Sequence, residues 1–263
     1  MGSEMCIRDS NPHDGSAAHS NTAVRVDSYL WQDVLNTEAT VAEFSGHSFI
    51  WPEADFVAQI NDDKDGKITA RLITEGAIGE RIISEIDTLA VGDELAIAMF
   101  YLSDRGVIKS LKRADERGVS IRLILDPNKD AFGIKKNGIP NRQVANELMN
   151  NSNGSTKIRW CNTHGEQCHS KLLLVKRGDS ATLLLGSANF TKRNLDNYNL
   201  ETNVVFTGPA DEQLFIDASD FFNRQWHNEK DKFYSISYDT YQDTNLYRTI
   251  IYHLKEFTGV SRW

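Results

Sequence analysis

Two short apolar runs separated by a turn constrain the fold of this chain more than any other feature. Residues 172–175 and 182–185 are each long enough for a buried strand and too short for an independent helix. The residues between them include Arg177-Gly-Asp-Ser180, which favours a turn. The sequence therefore predicts a β-hairpin. Its two strands bring four polar residues towards a common end: His169, Lys171, Ser187 and Asn189.

Strand-like and helix-like segments alternate through the rest of the chain. This alternation predicts an α/β fold, with a mixed, mainly parallel β-sheet flanked by helices. The predicted strands are residues 22–26, 68–73, 94–101, 120–125, 157–161 and 200–206. The predicted helices are residues 33–44, 79–89, 103–118, 211–227 and a segment that begins near residue 140.

The residues at the end of the hairpin suit a phosphate group. His169 and Lys171 lie on one face of their strand, because alternate residues of a strand share a side. Lys171 would supply positive charge, and Ser187 and Asn189 would supply hydrogen-bond donors. The imidazole of His169 would attack phosphorus or protonate the leaving oxygen. Glu201 opens the next strand and is the candidate acceptor that orients this imidazole.

The overall charge argues against an extended surface that binds nucleic acid. The 263 residues carry a formal net charge of −8, and the sequence pI is about 5.4. Binding to a polyanion depends on Lys and Arg side chains that neutralise phosphates. Residues 169–193 form a local exception, with five basic residues against one acidic residue. This cationic enclave favours a discrete phosphate group, so we expect no nucleic-acid partner.

Three short motifs together resemble the repeat of the phospholipase D superfamily, the HKD phosphodiesterases. They are His169-x-Lys171, Gly186-Ser187-x-Asn189 and Asn199-x-Glu201, in this order and in a strand-turn-strand context. The segments Asp126-Pro-Asn-Lys129 and Gly138-Ile-Pro-Asn-Arg142 are similar to those of bacterial members. One position departs from the family pattern His-x-Lys-x4-Asp, because Lys176 stands where the aspartate is usual.

The amino-terminal part resembles the end of a first repeat. Asn11 and Asn21 have the same separation as Asn189 and Asn199, and Ala23 stands at the position of Glu201. Residues 1–10 resemble translated adaptor sequence, so we expect a non-native leader and a missing native amino terminus. The expected units are this leader at 1–10, a repeat remnant and linker at 11–66, a complete repeat at 67–228 and a tail at 229–263.

The resemblance implies a two-step mechanism through a phosphohistidine, with no cofactor. Two imidazoles in different proton states are needed, one to attack and one to protonate the leaving alkoxide. The second motif would come from a missing amino-terminal half or from a homodimer partner. With a missing half, His169 would be the general acid and later the base. In a homodimer, the two copies of His169 would share both roles.

Two segments carry potential metal ligands, but neither fits a common pattern. Asn61–Gly66 resembles the start of a calcium loop, yet Leu72 stands at the glutamate position, so we predict a surface turn. The second group has a spacing that matches no common structural zinc site: Cys161, His164, Cys168 and His169. We expect no metal. The three cysteines imply no disulfide framework, and we expect free, partly buried thiols.

Residues around the motif are candidates for lining a pocket. His164, Glu166 and Gln167 precede His169, and Asn11 matches Asn189. The alternative is that they are loop residues without a chemical role. No apolar run reaches the roughly 18 residues of a membrane span. We therefore expect no transmembrane span, and at most a peripheral association with a membrane surface.

The expected function is a bacterial-type phospholipase D-like phosphodiesterase. The resemblance implies a phospholipid substrate at a membrane surface, with hydrolysis by water or transfer of the phosphatidyl group to another alcohol. Two alternatives stay open at this point. One is a nuclease of the same superfamily, and the other is a catalytically silent fragment that lacks the first His-x-Lys.

Overall fold

The computed structural model describes residues 4–8, 19–28, 30–47, 66–131 and 134–259. The strands are β1 Glu4–Arg8, β2 Ala23–Asp27, β3 Thr69–Thr74, β4 Glu94–Met99, β5 Ser120–Leu125, β6 Asp130–Ala131, β7 Ile134–Lys135, β8 Thr156–Cys161, β9 Lys171–Arg177, β10 Ser180–Gly186, β11 Thr202–Pro209 and β12 Ser235–Ser237. The helices are α1 Leu30–Phe44, α2 Gly76–Asp87, α3 Arg105–Glu116, α4 Asn141–Asn150, α5 Lys192–Leu195, α6 Gln213–His227 and α7 Leu246–Thr258, with a 3-10 helix at Tyr238–Tyr241.

Eight strands form one mixed sheet in the order β12-β8-β5-β4-β9-β10-β11-β3. The α/β class and the mixed sheet flanked by helices are confirmed. The expected balance of pairings differs, because only β4–β5 and β5–β8 pair in parallel and the other five pairings are antiparallel. Short turns such as the one between β9 and β10 can join only antiparallel neighbours, whereas a parallel pair needs a long crossover.

The predicted hairpin is β9 and β10, at the centre of the sheet. Leu174 pairs with Leu183 and Leu172 pairs with Leu185 across its two strands. At its end, Gly186 lies so close to the backbone of β11 that a side chain there would collide with Thr202. A glycine at this position therefore lets the motif after β10 approach the neighbouring strand.

Apolar side chains cover both faces of the sheet. On one face, Leu173, Val175 and Leu184 pack with residues from α2, α3 and α4. On the other face, the alternate residues of β9 and β10 pack against Phe215 and Phe222 of α6. Burial on both faces explains why these strands are almost continuously apolar.

Most predicted elements are present with shifted ends. α3 is capped by Asp104, whose carboxylate accepts the Val107 N–H at 2.9 Å. The helix predicted to begin near residue 140 is α4, which begins at Asn141 directly after Pro140. Most of the predicted surface turn at 61–66 lies outside the described residues, as does Asn11. In the part of the chain that is described, no helix has the length and apolar character needed to cross a bilayer.

The amino-terminal segment lies beside the motif strand. β1 pairs with β2 in antiparallel orientation, so part of the expected non-native leader forms a strand. Upstream of β2, Ser20 forms an isolated parallel β-bridge with Cys168. The Ser20 carbonyl accepts the His169 N–H at 2.9 Å. The chain therefore places residues 19–21 next to the start of the His-x-Lys motif.

Candidate active site

His169 and Lys171 meet at the start of β9. The Lys171 Nζ lies 3.0 Å from His169 Nδ1 and 2.9 Å from the His169 carbonyl oxygen. Lys171 is only 2% exposed, and its Nζ lies 5.7 Å from the centre of the Phe100 ring. The same ring lies 4.8 Å from the imidazole of His169. A buried ammonium and a half-buried imidazole therefore share one small polar space beside an aromatic wall.

Ser187 and Asn189 follow β10 at the same end of the sheet. The Ser187 hydroxyl accepts the Thr202 N–H at 3.0 Å, which ties the motif to β11. The Asn189 Oδ1 accepts the Tyr101 N–H at 3.3 Å, which ties it to the segment after β4. Because Oδ1 is used in this bond, Nδ2 is the group through which Asn189 can donate to a ligand.

Glu201 connects the Ser187 motif to the short helix α5. Its carboxylate accepts hydrogen bonds from the Ser187 hydroxyl and from the side-chain amide of Asn194 in α5. Glu201 is 9% exposed, so these bonds are formed away from most solvent competition. They hold the loop between β10 and β11 in one arrangement. The orientation of His169 by Glu201 stays a prediction.

Asp126 forms a hydrogen bond with the residue that precedes His169, and the sequence analysis did not name it as a site residue. It follows β5, is 2% exposed, and its carboxylate accepts the Cys168 N–H at 2.8 Å and the Asn128 N–H at 2.6 Å. Burial raises the pKa of Asp126 to about 7, although these N–H donors act in the opposite direction. An Asp-Pro pair at the end of a buried strand was the sequence signal for this residue.

His19 is the second residue that sequence reasoning missed. Its ring centre lies 6.1 Å from that of His169, with an angle of 29° between the planes. His19 Nδ1 accepts the Gln167 N–H at 3.0 Å, so the neutral ring carries its proton on Nε2. Burial is the main cause that lowers the pKa of His19. The dipeptide His19-Ser20 repeats His169-Ser170, which was the available signal.

The residues predicted to line a pocket have different environments. Gln167 is buried and binds His19 through its backbone, so it lies next to the site. His164 is exposed, and its N–H donates to the Glu166 carboxylate at 2.9 Å within a tight loop. Asn11 lies outside the described residues. Pocket roles for these residues stay predictions.

The prediction of free thiols is wrong for two of the three cysteines. Cys161 and Cys168 form a disulfide with their Cα atoms 6.2 Å apart, and it closes the loop that carries Glu166 and Gln167. Their sulfurs are therefore bonded to each other rather than available to zinc. Among the residues described, no group of three or more His, Cys, Asp and Glu side chains could hold a metal ion. The pairing was missed because β8 brings Cys161 alongside the motif only in the folded chain.

The predicted cationic enclave is more dispersed than the sequence suggested. Lys176 and Arg177 lie at the opposite end of β9 from His169. Lys176 Nζ donates to Ser219 in α6 at 3.0 Å, and Arg177 pairs with Glu85 at 2.7 Å. A strand advances about 3.3 Å per residue, so these two cations lie roughly 17–20 Å along β9 from Lys171. Of the three cations on β9, Lys171 is therefore the one at the His169 end of the strand.

A protein family matches more than half of the chain by sequence. This family is described as cardiolipin synthase, PLD-like domain, and the match covers residues 82–226 of the 263. This stretch contains β4 to β11 and the motif residues described above. No curated protein matches the chain.

Three solved structures resemble the chain at low sequence identity. Phosphatidylserine synthase from Haemophilus influenzae Rd KW20 has a TM-score of 0.61 and 11% identity, over 98% of this chain and 66% of its own. Polyphosphate kinase from Porphyromonas gingivalis has a TM-score of 0.53 and 18% identity, over 98% of this chain and 36% of its own. Nuc, a phospholipase D family member from Salmonella typhimurium, has a TM-score of 0.49 and 18% identity, over 65% of this chain and 99% of its own.

The structural likeness to the synthase and the kinase concerns the fold alone, because the identities are low. The sequence match is more specific, since it runs from within α2 to the last turn of α6. It includes the hairpin and the His-x-Lys pair at its end. The chain belongs to the phospholipase D superfamily, through the PLD-like domain family that matches residues 82–226.

Proposed function

We propose that this protein is a phosphodiesterase that hydrolyses phospholipids or transfers their phosphatidyl group through a phosphohistidine. One observation carries the proposal: the buried Lys171 ammonium lies 3.0 Å from His169 Nδ1, at the end of the sheet where Ser187 and Asn189 follow β10. A fixed positive charge next to an imidazole suits a reaction in which negative charge develops on phosphoryl oxygens. The superfamily's general activity as phosphodiesterases and transferases supports the same reaction class.

The proposed first step exchanges one bond at phosphorus. An imidazole nitrogen forms a P–N bond as the P–O bond to the headgroup alcohol breaks, and a second imidazole gives its proton to the leaving oxygen. In the second step, water or another alcohol attacks phosphorus and gives its proton to that second imidazole, and the P–N bond breaks. The products are the free headgroup alcohol and phosphatidic acid or a new phosphatidyl alcohol.

The Lys171 ammonium lies 3.0 Å from His169 Nδ1 and 3.3 Å from His169 Nε2. An ammonium can only donate, so in this contact a ring nitrogen of His169 accepts from Lys171. When a phosphodiester enters, Lys171 can donate to a phosphoryl oxygen instead, together with Nδ2 of Asn189. His169 is then released to take or give a proton at the reacting oxygen.

The second catalytic histidine is part of the proposal. It would come from a first motif upstream of this repeat or from His169 of a homodimer partner. His19 is not the attacking group in this account, because its Nδ1 accepts the Gln167 N–H and its other nitrogen carries the proton. His19 is instead a neutral ring packed beside His169.

The substrate assignment rests on charge and on the superfamily. The net charge of −8 disfavours a polyanion, whereas a single phosphodiester needs only the local charge of Lys171. Phosphatidylserine synthase, which shares the fold, is named for a phospholipid product, and this supports a lipid substrate for this chain.

One assay separates lipid from nucleic acid. The protein is incubated with phosphatidylcholine and a primary alcohol, and in parallel with double-stranded and single-stranded DNA. We expect a phosphatidyl alcohol, free choline and intact DNA. Cleaved DNA without a phosphatidyl alcohol would overturn the lipid assignment and support a nuclease. Turnover of neither substrate would support a catalytically silent fragment.

A further inference from the structure

The carboxyl-terminal helix α7 turns its apolar side outward. Five large apolar side chains of this helix are exposed: Leu246 at 78%, Tyr247 at 71%, Ile250 at 58%, Leu254 at 59% and Phe257 at 81%. At 3.6 residues per turn, they fall in a stripe about 100° wide, which is the width that an amphipathic helix normally buries. We call these five residues the α7 stripe.

The opposite side of α7 is fixed to the protein by polar bonds. Tyr252 is fully buried, and its hydroxyl donates to the Ser103 carbonyl at 3.1 Å. Glu256 is 2% exposed, and its carboxylate accepts the Lys192 N–H at 2.8 Å. Rotation of the helix to bury the stripe would break these bonds and leave a buried carboxylate unsatisfied, so the apolar side stays outside.

The carboxyl-terminal end of α7 touches the loop that carries the catalytic motifs. Lys192, three residues after Asn189, donates from Nζ to the Phe257 carbonyl at 3.1 Å. The Tyr198 ring lies against Gly259, where an added side-chain carbon would be 3.8 Å from its Cζ. Tyr198 and Leu200 are 59% and 68% exposed. The apolar surface therefore continues from α7 onto residues that flank Asn199.

Basic side chains border this apolar surface in a protein that is acidic overall. Lys192 and Arg193 belong to α5, at the end nearest the catalytic loop, and Lys255 belongs to α7, while one exposed acidic residue, Asp196, directly follows α5. The remaining cation of the helix, Arg248, pairs with Asp243 at 2.7 Å. An apolar stripe with a cationic border matches an anionic bilayer surface, where side chains enter the acyl boundary and Lys or Arg meet the headgroups.

We propose that the α7 stripe, with Tyr198 and Leu200, docks this protein on the surface of an anionic bilayer. The inference rests on the proposed phospholipid function and names the surface on which that reaction takes place. Docking there brings the loop with Asn189 and Glu201 to the level of the phosphodiester groups. The helix lies on the membrane and does not cross it.

Vesicle sedimentation tests this docking without reference to catalysis. Vesicles of phosphatidylcholine and phosphatidylglycerol at 3:1 are mixed with the wild type, with an Ile250→Gln/Leu254→Gln variant and with Val91→Gln. The double variant removes two apolar anchors without a change of charge. Val91 is the matched control, because it is 79% exposed in the loop before β4, at the opposite end of that strand from Phe100 and the site. Cleavage of monomeric short-chain phosphatidylcholine is measured alongside.

We expect the wild type and Val91→Gln to bind the vesicles equally, and the double variant to bind at least tenfold more weakly. Cleavage of the short-chain lipid should be the same in all three. Equal binding by all three, or no binding by the wild type, would overturn the docking proposal. So would a wild-type dimer that the double variant dissociates, because the stripe would then be a protein interface. Vesicle binding through the stripe without any lipid cleavage would leave docking in place and overturn the proposed function.

Discussion

The carboxylate of Asp126 accepts the backbone N–H of Cys168 at 2.8 Å, directly before His169 in the chain. The same carboxylate accepts the Asn128 N–H, and Asn128 donates through Nδ2 to the Phe100 carbonyl at 3.1 Å. Phe100 in turn packs against His169. A single buried carboxylate thus connects the end of β5, the aromatic wall and the start of the catalytic motif.

Asp126 should make stability depend on pH. Burial raises its pKa to about 7 in the native state, whereas an aspartate in an unfolded chain titrates near 3.9. The native state therefore binds more protons between these values, and the free energy of unfolding falls by about 4 kcal/mol as the pH rises from about 4 to about 7. Asp126→Asn removes this titration and should flatten the dependence across that window. Urea denaturation between pH 4 and pH 7.5 measures it.

The control for Asp126→Asn is Asp179→Asn, which changes an exposed turn residue. We expect this control to keep the wild-type slope. Equal slopes in the wild type and Asp126→Asn would show that Asp126 does not titrate in this range.

His19 should be a neutral imidazole with its proton on Nε2. Burial lowers its pKa, and the Gln167 N–H occupies Nδ1. In ¹⁵N NMR spectra we expect an unprotonated Nδ1 at pH 7 and a midpoint below the ordinary histidine value of about 6.5. His19→Ala should lower the free energy of unfolding by about 1–3 kcal/mol, because the Gln167 N–H loses its acceptor. A midpoint above 6.5, or a protonated Nδ1 at pH 7, would contradict the assigned contact.

The disulfide between Cys161 and Cys168 should stabilise the loop before His169. Closing a loop of about eight residues contributes about 2.5 kcal/mol in the chain-entropy treatment. Cys161→Ser/Cys168→Ser, or addition of reductant to the wild type, should therefore lower the free energy of unfolding by about 2–3 kcal/mol. Denaturation with and without reductant checks this, and reductant should have no effect on the double variant.

Thiol labelling provides an independent check of the same pairing. The chain has three cysteines, so the unreduced, denatured wild type should show one reactive thiol, at Cys6. Cys6→Ser should show none. Three reactive thiols in the wild type would rule out the disulfide.

Local patterns in the sequence were sufficient to predict most of the fold. The apolar runs of β9 and β10 and the order of the elements depend on neighbouring residues, and both are found. The proportion of parallel pairs was overestimated, because strand adjacency is decided by long-range packing. The hairpins from β9 to β11 supply antiparallel pairs that the alternation of strands and helices does not reveal.

The parts of the site that escaped prediction are those that join distant residues. Asp126 and Cys168 are 42 positions apart, and His19 and Gln167 are 148 positions apart. Neither pair has a fixed spacing that a motif could encode. The His169-x-Lys171 pair was found because both residues lie on one strand, where spacing alone decides which side chains share a face.

The most direct measurement of the central claim is the rate of phosphatidyl transfer from phosphatidylcholine to a primary alcohol in three proteins. These are the wild type, His169→Asn and the control His227→Asn, which changes an exposed histidine of α6. Removal of a general acid or nucleophile should lower the rate by about 100-fold or more while the fold is retained, and the control should match the wild type. Wild-type transfer by a folded His169→Asn would contradict the assignment of this site.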